Sequence, residues 1–138
     1  MLKSSFPRVT PHNCRCTSPA TDDYNCIAWA YGRDDVWCQP GFFWPIPRQE
    51  DTIEAYKELF LSIGYRCCEN ASYEKGFQKI ALYIKDGCPT HAARQLPTGK
   101  WTSKLGHNID IEHDCPEVLN ESDYGVASIF MIRENNGY

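Results

Sequence analysis

Three side chains in this sequence have types that together perform nucleophilic chemistry. They are Cys26 in "NCIAWAYG", His91 in "PTHAARQLPTGKWTSKLG" and Asp110 in "DIEH". A sulfur nucleophile needs a stabilised thiolate, a nearby base, and donors for the oxyanion that forms on its target. If a helix begins at Asn25, Cys26 sits at its N-terminus. There the free N–H groups and the dipole lower a thiol below its usual value of about 8.5. If the helix begins at Asp22, Cys26 lies a turn deeper, and Asp22 and Asp23 oppose the thiolate. His91 is the expected base, carried on a strand early in a hairpin. Pairing around the Pro97–Lys100 turn, with Leu96 opposite Trp101, brings His91 opposite about Gly106. Ser103, Asn108 and Asp110 are then in range to orient the imidazole, with Gln95 a further polar option. A carboxylate fixes the ring tautomer and stabilises the imidazolium best, which favours Asp110. The N–H of Cys26 would meet the oxyanion. Asn25, Trp44, Trp101 and Ser103 complete the expected oxyanion and substrate-binding set, with Phe42, Phe43 and Trp44 walling a groove.

The same residues have plainer readings. Cysteine is among the most buried residue types. Aromatics such as Trp29, Trp37, Trp44 and Trp101 fit core or lid packing as readily as substrate contact. Lys104 in "TSKLG" reads as a solvated lysine, or as a site for an acidic group.

The elements that must position these residues follow from pattern. A helix spans about Asp22 to Tyr31, capped by Asp22 or Asn25 and stopped by Gly32. Residues 33–50 are irregular and rich in aromatics and proline. "DTIEAYKELFLSIG" (51–64) repeats Ile53, Tyr56, Leu59, Phe60 and Ile63 at helical spacing, with Asp51 and Glu54 as a capping box and Gly64 closing it. Strands follow: "YRCCEN" at 65–70, "KIALYIK" at 79–85, the Asp86-Gly87 hairpin turn, 88–96, the turn "PTGK", and 101–105. Residues 106–123 read as loop with one helical turn, and 124–133 as a buried final strand. Residues 1–21, with Pro7, Pro11 and Pro19, read as an extended N-terminal arm ahead of one domain, 22–138. Helices first and strands after predict an α+β domain, N-terminal helices packed on an antiparallel sheet.

An early helical cysteine, a later strand histidine and then Gly99 and Trp101 on the following hairpin resemble the papain-like and transglutaminase-like thiol enzymes. The phrases "NCIAWA", "PTHAARQLP", "WTSKLG" and "DIEH" also resemble a family of small uncharacterised domains. The resemblance covers about residues 22–132. It implies attack by Cys26 on an amide or related acyl carbonyl, proton transfer through His91, and a thioacyl intermediate resolved by water or an amine. In the transglutaminase-like pattern an aspartate follows the Trp strand closely. Here Leu105 stands at that point, and the first aspartate is Asp110.

Bulk properties bound the alternatives. The length of 138 residues suits one domain with its own core. Net charge is −4 and no two Lys or Arg residues are adjacent, which disfavours nucleic-acid binding. Apolar runs such as "ASIFMI" fall far short of the roughly 20 residues of a spanning helix, so no membrane role is expected. The first 13 residues lack a signal-peptide core. The expected location is therefore cytoplasmic, or exported without a cleavable signal, and the eight cysteines read as reduced thiols. His107, Asp110, Glu112, His113 and Cys115, with His12, Cys14 or Cys16, allow a metal-stabilised binding module. Their spacing fits no common zinc pattern, so no cofactor is expected. A protein or peptide is the expected substrate. A non-catalytic protein-interaction domain is the alternative to an enzyme.

Overall fold

The computed structural model describes residues 6–18, 20–21, 23–105 and 109–134. Its elements in chain order are β1 (Cys14–Ser18), α1 (Cys26–Tyr31), α2 (Ile53–Leu61), β2 (Arg66–Cys68), β3 (Phe77–Lys85), β4 (Cys88–Gln95), β5 (Trp101–Lys104), β6 (Asp110–His113), a 3-10 turn (Pro116–Leu119) and β7 (Val126–Glu134). All seven strands join one sheet in the order β1-β6-β5-β4-β3-β7-β2, and every pairing is antiparallel.

This corrects the expected α+β fold of N-terminal helices packed on a sheet. The described chain is mostly antiparallel sheet, and its two α-helices are short. The reasons are local. Gly32, at φ +107°, stops α1 after six residues. Gly64, at φ +97°, follows the end of α2, which has nine. The proline-rich segment between the helices forms none of its own. Meanwhile the sheet recruits two pieces that lack a strand signature. β1 comes from the arm and β6 from the segment read as loop. β6 becomes a strand between β5 and β1, with Ser103 against Ile111, and β1 becomes one along the far side of β6, Cys14 against His113 and Cys16 against Ile111.

The helix caps follow side-chain chemistry. Asn25 accepts from the Ala28 N–H at 3.0 Å, so α1 begins at Cys26. The earlier start at Asp22 lies outside the described residues. For α2 the cap is Thr52, accepting from Ala55 at 3.2 Å, rather than Asp51.

The Asp86-Gly87 turn joins β3 to β4, both residues at positive φ, with Lys85 opposite Cys88. The next hairpin is shifted by one residue from expectation, because Gln95 and not Leu96 opposes Trp101. A one-residue slip exchanges sheet faces. On the helix-bearing face, Ile80, Leu82, Ala92 and Met131 pack with Ile27, Ala28, Tyr56, Leu59 and Phe60. On the other face, Ala81, Tyr83, Ala93, Trp101 and Ile111 pack with Phe6, Val9, Val118 and Leu119. Each face carries its own apolar cluster, so the central strands are covered on both sides, and β3 reads as a nearly unbroken buried run.

Candidate functional site

Cys26 is the first residue of α1 and is half-buried. Its sulfur meets backbone donors from two elements, the N–H of Ala92 on β4 and those of Ile27 and Cys26 at the helix start. Burial pushes the thiol up to about 11. The Ala92, Ile27 and Cys26 N–H groups oppose that rise, followed by the Lys104 ammonium. At neutral pH the resting group is therefore the thiol.

The structure does not bring Cys26 and His91 together, which corrects the pairing expected from sequence. Ala92, the residue after His91, touches the sulfur. Strand alternation sends the His91 side chain to the other face. There it stacks on Tyr124, centroids 4.1 Å apart and planes 6° from parallel, and meets Tyr83 edge-on at 5.1 Å. It is fully buried, and neither ring nitrogen has a hydrogen-bond partner. Burial holds it well below the usual imidazole value, and His113 adds to that.

Asp110 does not reach His91 either. It faces Lys104 across the β5–β6 pair and accepts the Tyr24 hydroxyl on Oδ2, while Oδ1 is buried without a partner. Burial, then this bond, raises Tyr24 far above the ordinary phenol range. Tyr24 stacks on Trp29, whose Nε1 donates to Thr102 Oγ1 at 3.1 Å and whose ring lies under the Arg94 guanidinium at 4.5 Å.

Ser103 serves a different histidine from the one expected. Its Oγ lies 2.8 Å from His113 Nε2, and His113 Nδ1 lies 2.9 Å from the Cys115 carbonyl oxygen. A carbonyl only accepts, so Nδ1 carries the proton and Nε2 accepts from the serine. Burial pulls His113 down to about 4, against the Cys115 carbonyl. Both residues are sealed from solvent, which makes this Ser–His pair a core contact.

The remaining predicted residues are structural. The Asn25 side chain is fully engaged, accepting from Ala28 and from Cys38 N–H (3.1 Å) and donating to the Cys38 carbonyl (2.8 Å). Trp44 is buried against Tyr56 and donates to the Arg48 carbonyl. Trp101 lies in the core of the face away from α1. Phe42 does project into solvent, 68% exposed. An open groove of about 790 Å³, lined by residues including Ile46, Arg48, Glu58 and Leu61, contains none of the predicted site residues. Gly106, His107 and Asn108 lie outside the described residues. Among the described residues no three His, Cys, Asp or Glu side chains converge as a metal site would require. The pattern-based reading missed Tyr24, and it favoured a solvated Lys104 where the structure buries it. Lys104 is fully buried, and the signal for it was register, since β5 alternation puts it on the helix-bearing face once Gln95 pairs with Trp101.

Together these features define a small antiparallel-sheet domain with one thiol held between a helix start and a sheet amide. Over residues 15–132 the chain matches a domain of unknown function (DUF7689), and it belongs to that family. The match carries no link to the papain-like or transglutaminase-like enzymes. No curated protein and no solved structure matches the chain. Among the described residues no helix is long and apolar enough to cross a membrane.

Proposed function

We propose that this domain is a cysteine-dependent hydrolase or acyltransferase acting on an amide or related acyl bond of a protein or peptide, with Cys26 as nucleophile. The observation that carries the reading is the surroundings of the sulfur, where N–H groups from α1 and β4 and the charge of Lys104 converge. Such donors stabilise a thiolate and the oxyanion that follows its attack. In the reaction, Sγ bonds to the carbonyl carbon while its proton passes to a base and then to the leaving amine. The thioester is resolved by water, giving the acid, or by an amine, giving a new amide. His91, the base expected from sequence, lies on the opposite face of β4 and is stacked on Tyr124, so in this reading the proton passes to a group other than His91. Peptidase, amidase, deamidase and transamidase outcomes share these steps. The eight unpaired thiols suit a reducing, cytoplasmic setting.

The second reading is a non-catalytic interaction domain, favoured by the position of the His91 ring and by a thiol that is protonated at neutral pH. One experiment separates the two. The full chain is incubated with a peptide thioester, and acyl adducts are mapped by mass spectrometry. The enzymatic reading expects a transient adduct on Cys26, lost in Cys26→Ala. Adducts confined to the exposed Cys16, Cys67 and Cys88 would leave the interaction reading standing.

A further inference from the structure

We propose that Arg94, laid on the ring of Trp29, is a binding site for a carboxylate of an acidic peptide. Arg94 stands on β4 between Ile80 of β3 and Thr102 of β5, and Ile80 places it on the helix-bearing face. Its guanidinium carbon lies 4.5 Å from the centre of the Trp29 ring. A cation over an aromatic ring is held by its charge and spends none of its N–H groups on the contact. Arg94 makes no hydrogen bond and no ion pair to any of the described residues, and its Nε is buried without a partner. An unbonded buried N–H opposes folding, so the arrangement is not explained by stability. The side chain is half-buried, and of its three nitrogens only Nε is both sealed and unbonded. The edge formed by Nη1 and Nη2 is therefore the one open to an arriving group. Its parallel donors match the two oxygens of a carboxylate.

The platform under the arginine is fixed. Trp29 Nε1 donates to Thr102 Oγ1 at 3.1 Å, that hydroxyl donates to the Ile111 carbonyl at 3.1 Å, and Tyr24 stacks on the indole at 5.4 Å. An arginine resting on a locked ring loses little freedom when it binds, which favours affinity. Lys104, two residues along β5 from Thr102, turns its Nζ to the Thr21 carbonyl instead. With one arginine supplying the charge, the site suits a singly charged carboxylate better than a phosphate dianion. Its place relative to the sulfur follows from the two elements. Cys26 and Trp29 are three residues apart on α1, while Ala92, whose N–H meets the sulfur, and Arg94 are two apart on β4. Two strand residues span about 7 Å, roughly two residues of an extended peptide. In this last respect alone the inference rests on the reading of Cys26 as nucleophile, and there it makes the substrate a peptide with an acidic residue close to the attacked bond.

The test titrates the full chain, at constant ionic strength, with glutamic acid blocked as its N-acetyl α-amide, and in parallel with the glutamine counterpart. Binding is followed by NMR at the Arg94 Nε–H and Trp29 indole N–H resonances. Both should shift saturably with the acid and stay still with the amide. No shift, or equal shifts from the two compounds, would overturn the proposal in the parent protein without any substitution. Arg94→Gln, its fold checked by urea unfolding, is expected to weaken binding roughly tenfold or more. An unchanged affinity in that variant would overturn the assignment to Arg94. Inorganic phosphate is the third arm, and phosphate binding more tightly than the acid at the same two resonances would overturn the carboxylate. The site and the nucleophile fail separately. Saturable binding in a chain that forms no thioester adduct on Cys26 upholds the carboxylate site and removes the enzymatic reading. An adduct on Cys26 without saturable binding does the reverse.

Discussion

His91→Phe isolates the most unusual group in the core. The imidazole is fully buried, with both nitrogens unpartnered, and stacks face to face on Tyr124. Each unsatisfied buried polar group costs about 1–3 kcal/mol. Phenylalanine keeps the stack and removes both. Its extra bulk in a packed site costs roughly 1–3 kcal/mol. The expected net change at pH 7.5 is a stabilisation of about 1–2 kcal/mol. The effect should grow in acid, and the sign follows from proton counting. Burial depresses His91 in the folded state, so below about 6.5 the unfolded chain binds a proton that the folded chain does not. Stability is full above that value and falls as pH drops towards the folded pKa. Each unit of that window widens the gap between variant and parent by up to about 1.4 kcal/mol. His113 is common to both proteins. Its fall to about 4 leaves the variant an acid sensitivity of about 3 kcal/mol in total, between roughly pH 6.5 and 4. Urea unfolding at pH 7.5, 6 and 5 gives both quantities. A variant less stable than the parent at pH 7.5, or with an unchanged pH slope, would refute the account of His91 as a neutral, unpartnered core group.

Two further substitutions test the supports of the site. Asn25→Ala removes the α1 cap and both bonds to the Cys38 backbone, and should cost about 3 kcal/mol in urea unfolding while loosening Cys26. Gly125→Ala would set a Cβ 2.2 Å from the Ile84 carbonyl oxygen at φ +80°, where backbone rather than a flexible side chain must yield. A loss of about 3 kcal/mol or more is expected, seen as a lowered Tm, and an unchanged Tm would contradict the packing of that turn.

Local rules found much of the chain. The Gly32 stop, the Asp86-Gly87 turn and the alternation of β3 depend on neighbours in sequence and appear where those rules put them, as does the amphipathic helix, expected over 51–64 and found at 53–61; of the two caps offered for the first helix, Asn25 is the one used. The Asp51 cap moved by one residue because Thr52 offers the nearer hydroxyl to Ala55. Strands β1 and β6 were invisible for another reason. "CRCTS" and "DIEH" have little pattern of their own, and pair only because the fold sets them side by side.

The candidate site divides along the same line. Sequence placed a cysteine in an early helix, at or within a turn of its start, and a histidine on a later strand, since caps, turns and periodicity are short-range. Tertiary structure decided which way each side chain faces. A single step of register in the β4–β5 hairpin put Ser103 with His91 on one face and Lys104 with the cysteine on the other. Side chains in a strand alternate with a period of two, so local propensity barely senses an error that moves every functional group across the sheet.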